Sequence, residues 1–263
     1  MICCRETPVH RPRRTYATAS DESSTPLWHP QSVANHDASG GLVFGGGLWP
    51  IGWSVGFVER PWAEVAEAAE AWRPHPGKPA RRCPTDDLGQ LLERLAPLES
   101  PYRRRLLVGT AGGWTAYFDN QLGGGDPFPW TSYLSDVLGC RGVTATHVPV
   151  GQYPYPATSF EIFSPEGEPP LMYLRTVSAG IYDEGRWRFD ASGVVQPFER
   201  LELYESRLVR DRLTRNVLVE YLAAMGIEAD KPDWYQGGVL YEAALPDRPR
   251  TMTIPQARDE YKQ

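Results

Sequence analysis

The spacing of apolar and polar positions divides the chain into a polar start, an element-rich middle and a sparse end. Residues 1–40 hold few aliphatic side chains and many Ser, Thr, Pro and Arg. Such a segment buries too little surface to offset its ordering entropy, so a disordered tail is predicted. From Leu42 the pattern changes. Trp49 to Val58 is apolar and glycine-spaced, with Ile51, Trp53, Val55 and Phe57 alternating, which reads as a strand or strand pair. Pro61 suits the first turn of a helix over 62–72, where Trp62, Val65, Ala69 and Trp72 share a face. Residues 73–84 read as a proline-rich link. A second helix over 86–96 follows, with Thr85 as its cap and Leu88, Leu91, Leu92 and Leu95 as its stripe.

Further along, Leu106 to Thr110 and Trp114 to Phe118 read as a hairpin across Ala111-Gly112-Gly113. A short helix from Thr131 or Ser132 to Leu138 closes at Gly139. The stretches 143–150, 158–163, 171–177 and 186–189 are β-like, with turns at 165–167 and 183–185, and predict an antiparallel meander. Ser206 to Met225 predicts one long helix, because Val209, Leu213, Val217, Tyr221 and Met225 recur at steps of four and Gly226 stops it. Residues 234–245 add a last strand, and the chain from Asp247 reads as a loose tail.

The expected organisation is a tail (1–40), a single domain (41–246) and a C-terminal tail (247–263). The expected fold is α+β: a mostly antiparallel sheet of several short strands, two N-terminal helices and one long C-terminal helix. The order of elements lacks the βαβ alternation of a doubly wound sheet.

Charge narrows the function classes. The 263 residues carry a net charge of −6. That excludes the broad basic footprint that nucleic-acid binding requires. Arg5, Arg11, Arg13 and Arg14 outweigh Glu6 in the tail, so a local basic arm is the exception; the simpler reading is a solvated tail. No apolar run of membrane-spanning length and no secretory h-region occur, so no membrane association and a cytoplasmic location are expected. Cys3, Cys4, Cys83 and Cys140 form no C-x-x-C pair, so neither a zinc site nor a disulfide framework is expected.

The densest chemistry lies in Trp114 to Pro127. Trp114, Ala116 and Phe118 point one way; Thr115, Tyr117 and Asp119 point the other. Asp119-Asn120 forms a polar tip, and Gly123-Gly124-Gly125 leads to Asp126. Asp119, Asn120 and Asp126 offer oxygen ligands, but their spacing fits no calcium loop, and turn chemistry explains them better. The glycines lack the lysine-serine or lysine-threonine pair of a phosphate loop. No metal and no cofactor are therefore expected. Trp114, Tyr117, Asp119, Asn120 and Asp126 are the candidate partner-binding residues, since aromatic and well-placed charged groups anchor interfaces.

Gly52-Trp53-Ser54-Val55-Gly56 matches the G-x-S-x-G nucleophile elbow, which makes Ser54 an alternative catalytic residue. The elbow needs a preceding strand, and residues 1–40 supply none. It also needs a downstream histidine, of which the chain has only His75 and His147. The alternation through Ser54 places it inside a strand pattern instead. His147 shares a face with Val143 and Ala145 and reads as a buried, hydrogen-bonded histidine. Arg207, Arg210, Arg212 and Arg215 offer a second nucleic-acid alternative on the long helix, although Glu205, Asp211 and Glu220 lie among them.

The segment Trp114 to Gly142, WTAYFDNQLGGGDPFPWTSYLSDVLGCRG, resembles a motif in actinobacterial proteins of unknown function, some of them similar to immunity proteins. That resemblance implies a binding protein that neutralises a toxin, and carries over no catalytic residue. An acidic chain of this kind suits a basic, toxin-like partner. The expectation is a non-enzymatic interaction protein.

Overall fold

The computed structural model describes residues 41–43, 47–71, 77–83, 85, 87–151, 155–182, 185–244 and 249–261. One antiparallel sheet of nine strands dominates them. In chain order its strands are β1 (Ser54–Val58), β2 (Gly77–Arg82), β4 (Arg104–Thr110), β5 (Thr115–Asp119), β6 (Gly142–Val148), β7 (Ala157–Glu168), β8 (Tyr173–Ile181), β9 (Trp187–Gly193) and β10 (Tyr235–Ala243). Across the sheet the order is β2-β10-β4-β5-β1-β6-β7-β8-β9. A small second sheet pairs β3 (Leu98–Ser100) with β11 (Arg250–Met252).

Alternation along the central strands sends apolar side chains to both faces. Val55, Phe57, Leu106, Val108, Ala116, Phe118, Val143 and Ala145 join the larger core. On that first face pack α2 (Leu88–Glu93), α5 (Arg215–Ala224) and α6 (Ile254–Tyr261), through Leu91, Leu92, Leu218, Leu222 and Ala257. The second face buries Val58, Leu107, Tyr117 and Tyr241 under α1 (Trp62–Ala71) and α3 (Phe128–Leu138). Val65 and Ala69 of α1 and Trp130 and Leu134 of α3 supply the contacts. Strands covered on both faces read as near-continuous apolar runs, as Leu106-Leu107-Val108 does.

Close approach of α3 depends on two glycines. A Cβ on Gly56 would come within 2.2 Å of Thr131 Oγ1, and one on Gly142 within 1.9 Å of Ser135 Oγ. Both sit on strands directly beneath the helix.

The structure corrects the expected fold. The sheet is one large nine-stranded unit rather than a set of several short strands, and β7 alone runs for 12 residues. Six α-helices occur among the described residues, and the C-terminal one, α6, has only 8 residues. The long helix expected over 206–225 does not form. Its place is taken by α4 (Leu201–Tyr204), a 3-10 turn at Val209–Asp211 and the 10-residue α5. Leu208 is extended (φ −89°, ψ 121°), and Arg212 Nε donates to the carbonyl of Ser206 at 3.0 Å. Thr214 then restarts the helix, its hydroxyl accepting from Val217 N. Leu213, Val217, Tyr221 and Met225 are nevertheless buried in one core. Their four-residue spacing reports burial, whereas helical hydrogen bonding is interrupted locally.

Smaller differences have equally local causes. The link expected over 73–84 contains β2, which pairs with β10. Helix α2 is capped by Asp87, whose Oδ1 accepts from Gln90 N at 2.8 Å; Thr85 instead accepts from Asp87 N. The turn expected at 165–167 lies inside β7, at an irregularity in its pairing with β8. The segment expected as a C-terminal tail carries β11 and α6, with Arg258 donating to Trp49 O at 2.8 Å. The expected N-terminal tail, 1–40, lies outside the described residues.

The glycine contacts define a test. Gly142→Ala should destabilise the protein by roughly 1–3 kcal/mol, the usual cost of overpacking a close contact. Urea unfolding followed by tryptophan fluorescence reads this directly; a midpoint equal to wild type would contradict the close seating of α3.

Candidate functional site

The residues singled out from the sequence meet at the end of β5, but most are interior. Trp114 is 3% exposed, Tyr117 1%, Asp119 2% and Asn120 0%. Only Asp126 is partly exposed. A partner docking rigidly cannot reach the first four. The polar groups of Asp119 and Asn120 are engaged by this chain's own backbone and by Glu99. Asn120 Oδ1 accepts from the amides of Arg103 and Arg104 at 3.1 and 2.8 Å, and Nδ2 donates to Pro97 O at 2.7 Å and Glu99 Oε2 at 3.1 Å. Its amide capacity is filled by the strand start on one side and the Pro97–Glu99 segment on the other. Asp119 accepts from Gln121 N and Asp126 N, both at 2.9 Å, and so closes the glycine loop that leads into α3.

Around this knot the second face of the sheet holds a buried polar-aromatic cluster. Arg105, opposite Asp119 in register, lies 5.1 Å from the rings of both Tyr102 and Trp130. Tyr117 stacks on Trp130 at 5.4 Å. Burial pushes the Asp119 carboxyl up to about 6, against the two backbone amides that favour its charged form. Burial likewise raises Asp126 and Tyr102, and drives Tyr117 far above the ordinary phenol range.

Ser54 opens β1 rather than occupying a strand-to-helix elbow. Its hydroxyl shares a 2.9 Å hydrogen bond with Thr146 Oγ1. His147, the one histidine among the described residues, lies next in β6 and therefore points to the opposite face, where Nδ1 meets Thr158 Oγ1 at 3.0 Å. His75 lies outside the described residues. The arginine series is not a stripe: Arg215 Nε donates to Gly41 O, Arg212 to Ser206 O, and Arg210 approaches Asp211 at 3.9 Å.

A feature missed in the sequence lies on the outer half of the second face. Ser54, Thr146, Ser159, Ser178 and Asp190 stand in register across β1, β6, β7, β8 and β9. A second row runs Thr144, Glu161, Thr176 and Ser192. Strand separation spaces such rows at about 4.8 Å. Thr144 is buried beside α3; Ser159, Thr176 and Ser178 are half-buried, and Asp190 and Ser192 are exposed. The 3-10 turn that packs on β8 and β9 sits on the opposite face, where Arg212 lies 5.5 Å from the Phe189 ring. The rows lead into a cleft of about 510 Å³ bordered by Glu161, Glu166, Glu168, Tyr173, Thr176 and Ser192.

Within the cleft, Thr144 Oγ1 donates to Glu161 Oε2 at 2.7 Å and the Tyr173 hydroxyl to Oε1 at 3.4 Å. Burial and the Glu161 charge push the Tyr173 phenol up to about 12, so it stays a donor at neutral pH. A larger cleft of about 610 Å³ opens at Trp62, Arg82 and Gln236, but it gathers fewer ionisable groups. The alternating S-x-G, T-x-T, S-x-E, T-x-S and D-x-S triplets were the available signal, legible only once the strands are aligned. Among the described residues no group of His, Cys, Asp and Glu is arranged to hold a metal ion, and no helix is long and apolar enough to cross a membrane.

Two outcomes follow. Asn120→Ala strands the part-buried Arg103 and Arg104 amides and should cost about 2 kcal/mol of stability, since each unsatisfied buried group costs roughly 1–3 kcal/mol; urea unfolding measures it. For Asp119, the folded carboxyl ionises near 6 and the unfolded one near 3.8. Between those values the folded chain binds more protons, so its stability falls as pH rises. Relative to Asp119→Asn, wild type should therefore gain on the order of 3 kcal/mol between pH 7 and pH 4. A difference independent of pH would contradict burial of the ionised group.

No known protein family, curated protein or solved structure matches this chain.

Proposed function

We propose that the chain is a non-enzymatic interaction protein that binds a basic protein partner, in the manner of an immunity protein neutralising a toxin. The observation that carries this reading is the outer half of the second sheet face. There, two registered rows of hydroxyls and carboxylates end in an acidic cleft with Tyr173 at its wall. A sheet face with fixed hydroxyl donors and acceptors matches the polar rim of a protein interface. Glu166, Glu168 and Asp190 supply exposed negative charge there. The net charge of −6 favours fast encounter with a basic partner.

The binding surface proposed is thus displaced from Trp114, Tyr117, Asp119 and Asn120, which are buried in the interior. Asp126 remains accessible beside α3. A Ser54 hydrolase has less in its favour, because the hydroxyl is bonded to Thr146 and the described histidine faces away. Binding of nucleic acid also has less in its favour, since Arg212 and Arg215 are occupied within the chain.

Co-expression with the products of neighbouring genes tests the proposal. Wild type should co-purify with one of them and relieve any growth arrest it causes. Glu166→Lys combined with Glu168→Lys should weaken that complex by at least about tenfold at low salt, through like-charge repulsion. If no neighbour product binds, or if the double variant binds as wild type does, the reading fails.

A further inference from the structure

We infer that two copies of this chain associate by pairing β9 with β9 in antiparallel register, so that one sheet runs through both. Among the described residues, β2 and β9 are the two outer strands of the sheet, and they differ in how they are protected. β2 contains Pro79, and its pairing with β10 shifts register between Leu240 and Glu242. Proline and bulges are the ordinary means of blocking further strand addition. β9 has neither. It contains no proline and pairs with β8 without a shift from Arg175↔Gly193 to Ile181↔Trp187.

The hydrogen-bond phase of β9 is also settled. Val194 N donates to Leu174 O at 2.8 Å, so Ser192, Asp190 and Arg188 direct their backbone groups toward β8. The intervening Trp187, Phe189 and Ala191 therefore turn their N–H and C=O groups outward, away from the sheet. A twofold axis through Phe189 makes Phe189 a hydrogen-bonded pair with its counterpart. Trp187 then meets Ala191 of the second copy in the same way, and the outward groups of all three residues are satisfied.

The charges are self-complementary in that register. Arg188 falls opposite Asp190 of the second copy, and Asp190 opposite its Arg188. Both residues are exposed and project from the same face of β9. These are non-hydrogen-bonded positions, where facing side chains come closest and opposite charges favour pairing. Sliding the strands by two residues removes both contacts, so the charges select one register. Apolar side chains lie near the same edge. Val194 and Val195, immediately after β9, are 60% and 48% exposed, and Leu208, leading into the 3-10 turn against β9, is 47% exposed. A second copy at this edge is the occupant that matches the strand's charge order, its hydrogen-bond phase and the adjoining apolar side chains together.

Sedimentation equilibrium on the full chain tests this independently of any partner protein. Wild type should show a monomer–dimer equilibrium in the micromolar range. Arg188→Asp places Asp opposite Asp twice and should raise the dissociation constant by at least tenfold, and Arg188→Asp with Asp190→Arg should restore it. Ala191→Pro removes an outward amide that β8 does not use, and should give a monomer with unchanged circular dichroism. A wild type that stays monomeric on the order of 100 µM overturns the inference, as does a dimer that survives both Arg188→Asp and Ala191→Pro.

Discussion

The fold turns on the polar knot formed by Asp119 and Asn120 at the end of β5. Asn120 uses its side-chain amide on the start of β4 and on the Pro97–Glu99 segment, while its backbone bonds Arg104 O and Glu99 N. Asp119 uses both oxygens on the loop that delivers α3 to the sheet. Burying a carboxylate is unfavourable, and the displacement of its ionisation toward neutrality expresses that. The fold accepts this cost because two adjacent residues satisfy backbone groups from three separate segments. Without them, those amides and carbonyls would lose these partners.

Seating α3 in turn divides the second face of the sheet into a covered and an open half. Over β10, β4, β5 and β1 the second face is covered by α1 and α3 and is apolar apart from the buried Arg105–Asp119 cluster, with Gly56 and Gly142 allowing α3 to approach closely. Beyond the edge of α3 the same face becomes a field of hydroxyls and carboxylates. The other face stays apolar as far as Val177 and Ala179. On that side the bidentate pair of Arg175 with Glu199, at 2.9 and 2.6 Å, ties the segment after β9 beneath the sheet; Tyr204 adds a third bond at 2.8 Å. A buried pair of this kind contributes little net stability, but its geometry specifies where the returning chain must lie.

This division separates buried bracing residues from an open polar face. The aromatic and acidic residues that stand out in the sequence are those that brace the sheet. The residues on the open face are small, common and scattered through five strands. Ser, Thr and Glu at such positions acquire meaning from their neighbours across the sheet rather than from their neighbours along the chain.

Patterns complete within a few residues were legible from the sequence. Leu106–Thr110 with Trp114–Phe118 forms the hairpin, Pro61 precedes α1, Gly139 ends α3, and His147 is buried on the face of Val143 and Ala145. Local propensity and side-chain periodicity decide these features. Three others required the tertiary structure. The four-step row marked a buried face from Leu213 to Met225, but the extended Leu208 and the Arg212–Ser206 bond divide the expected helix. β2 emerged from a proline-rich stretch because β10 offered it an edge. The hydroxyl rows and the polar knot arise from register between segments tens of residues apart. Register depends on pairing in space, so residue spacing along the chain could identify the strands but not which side chains would meet.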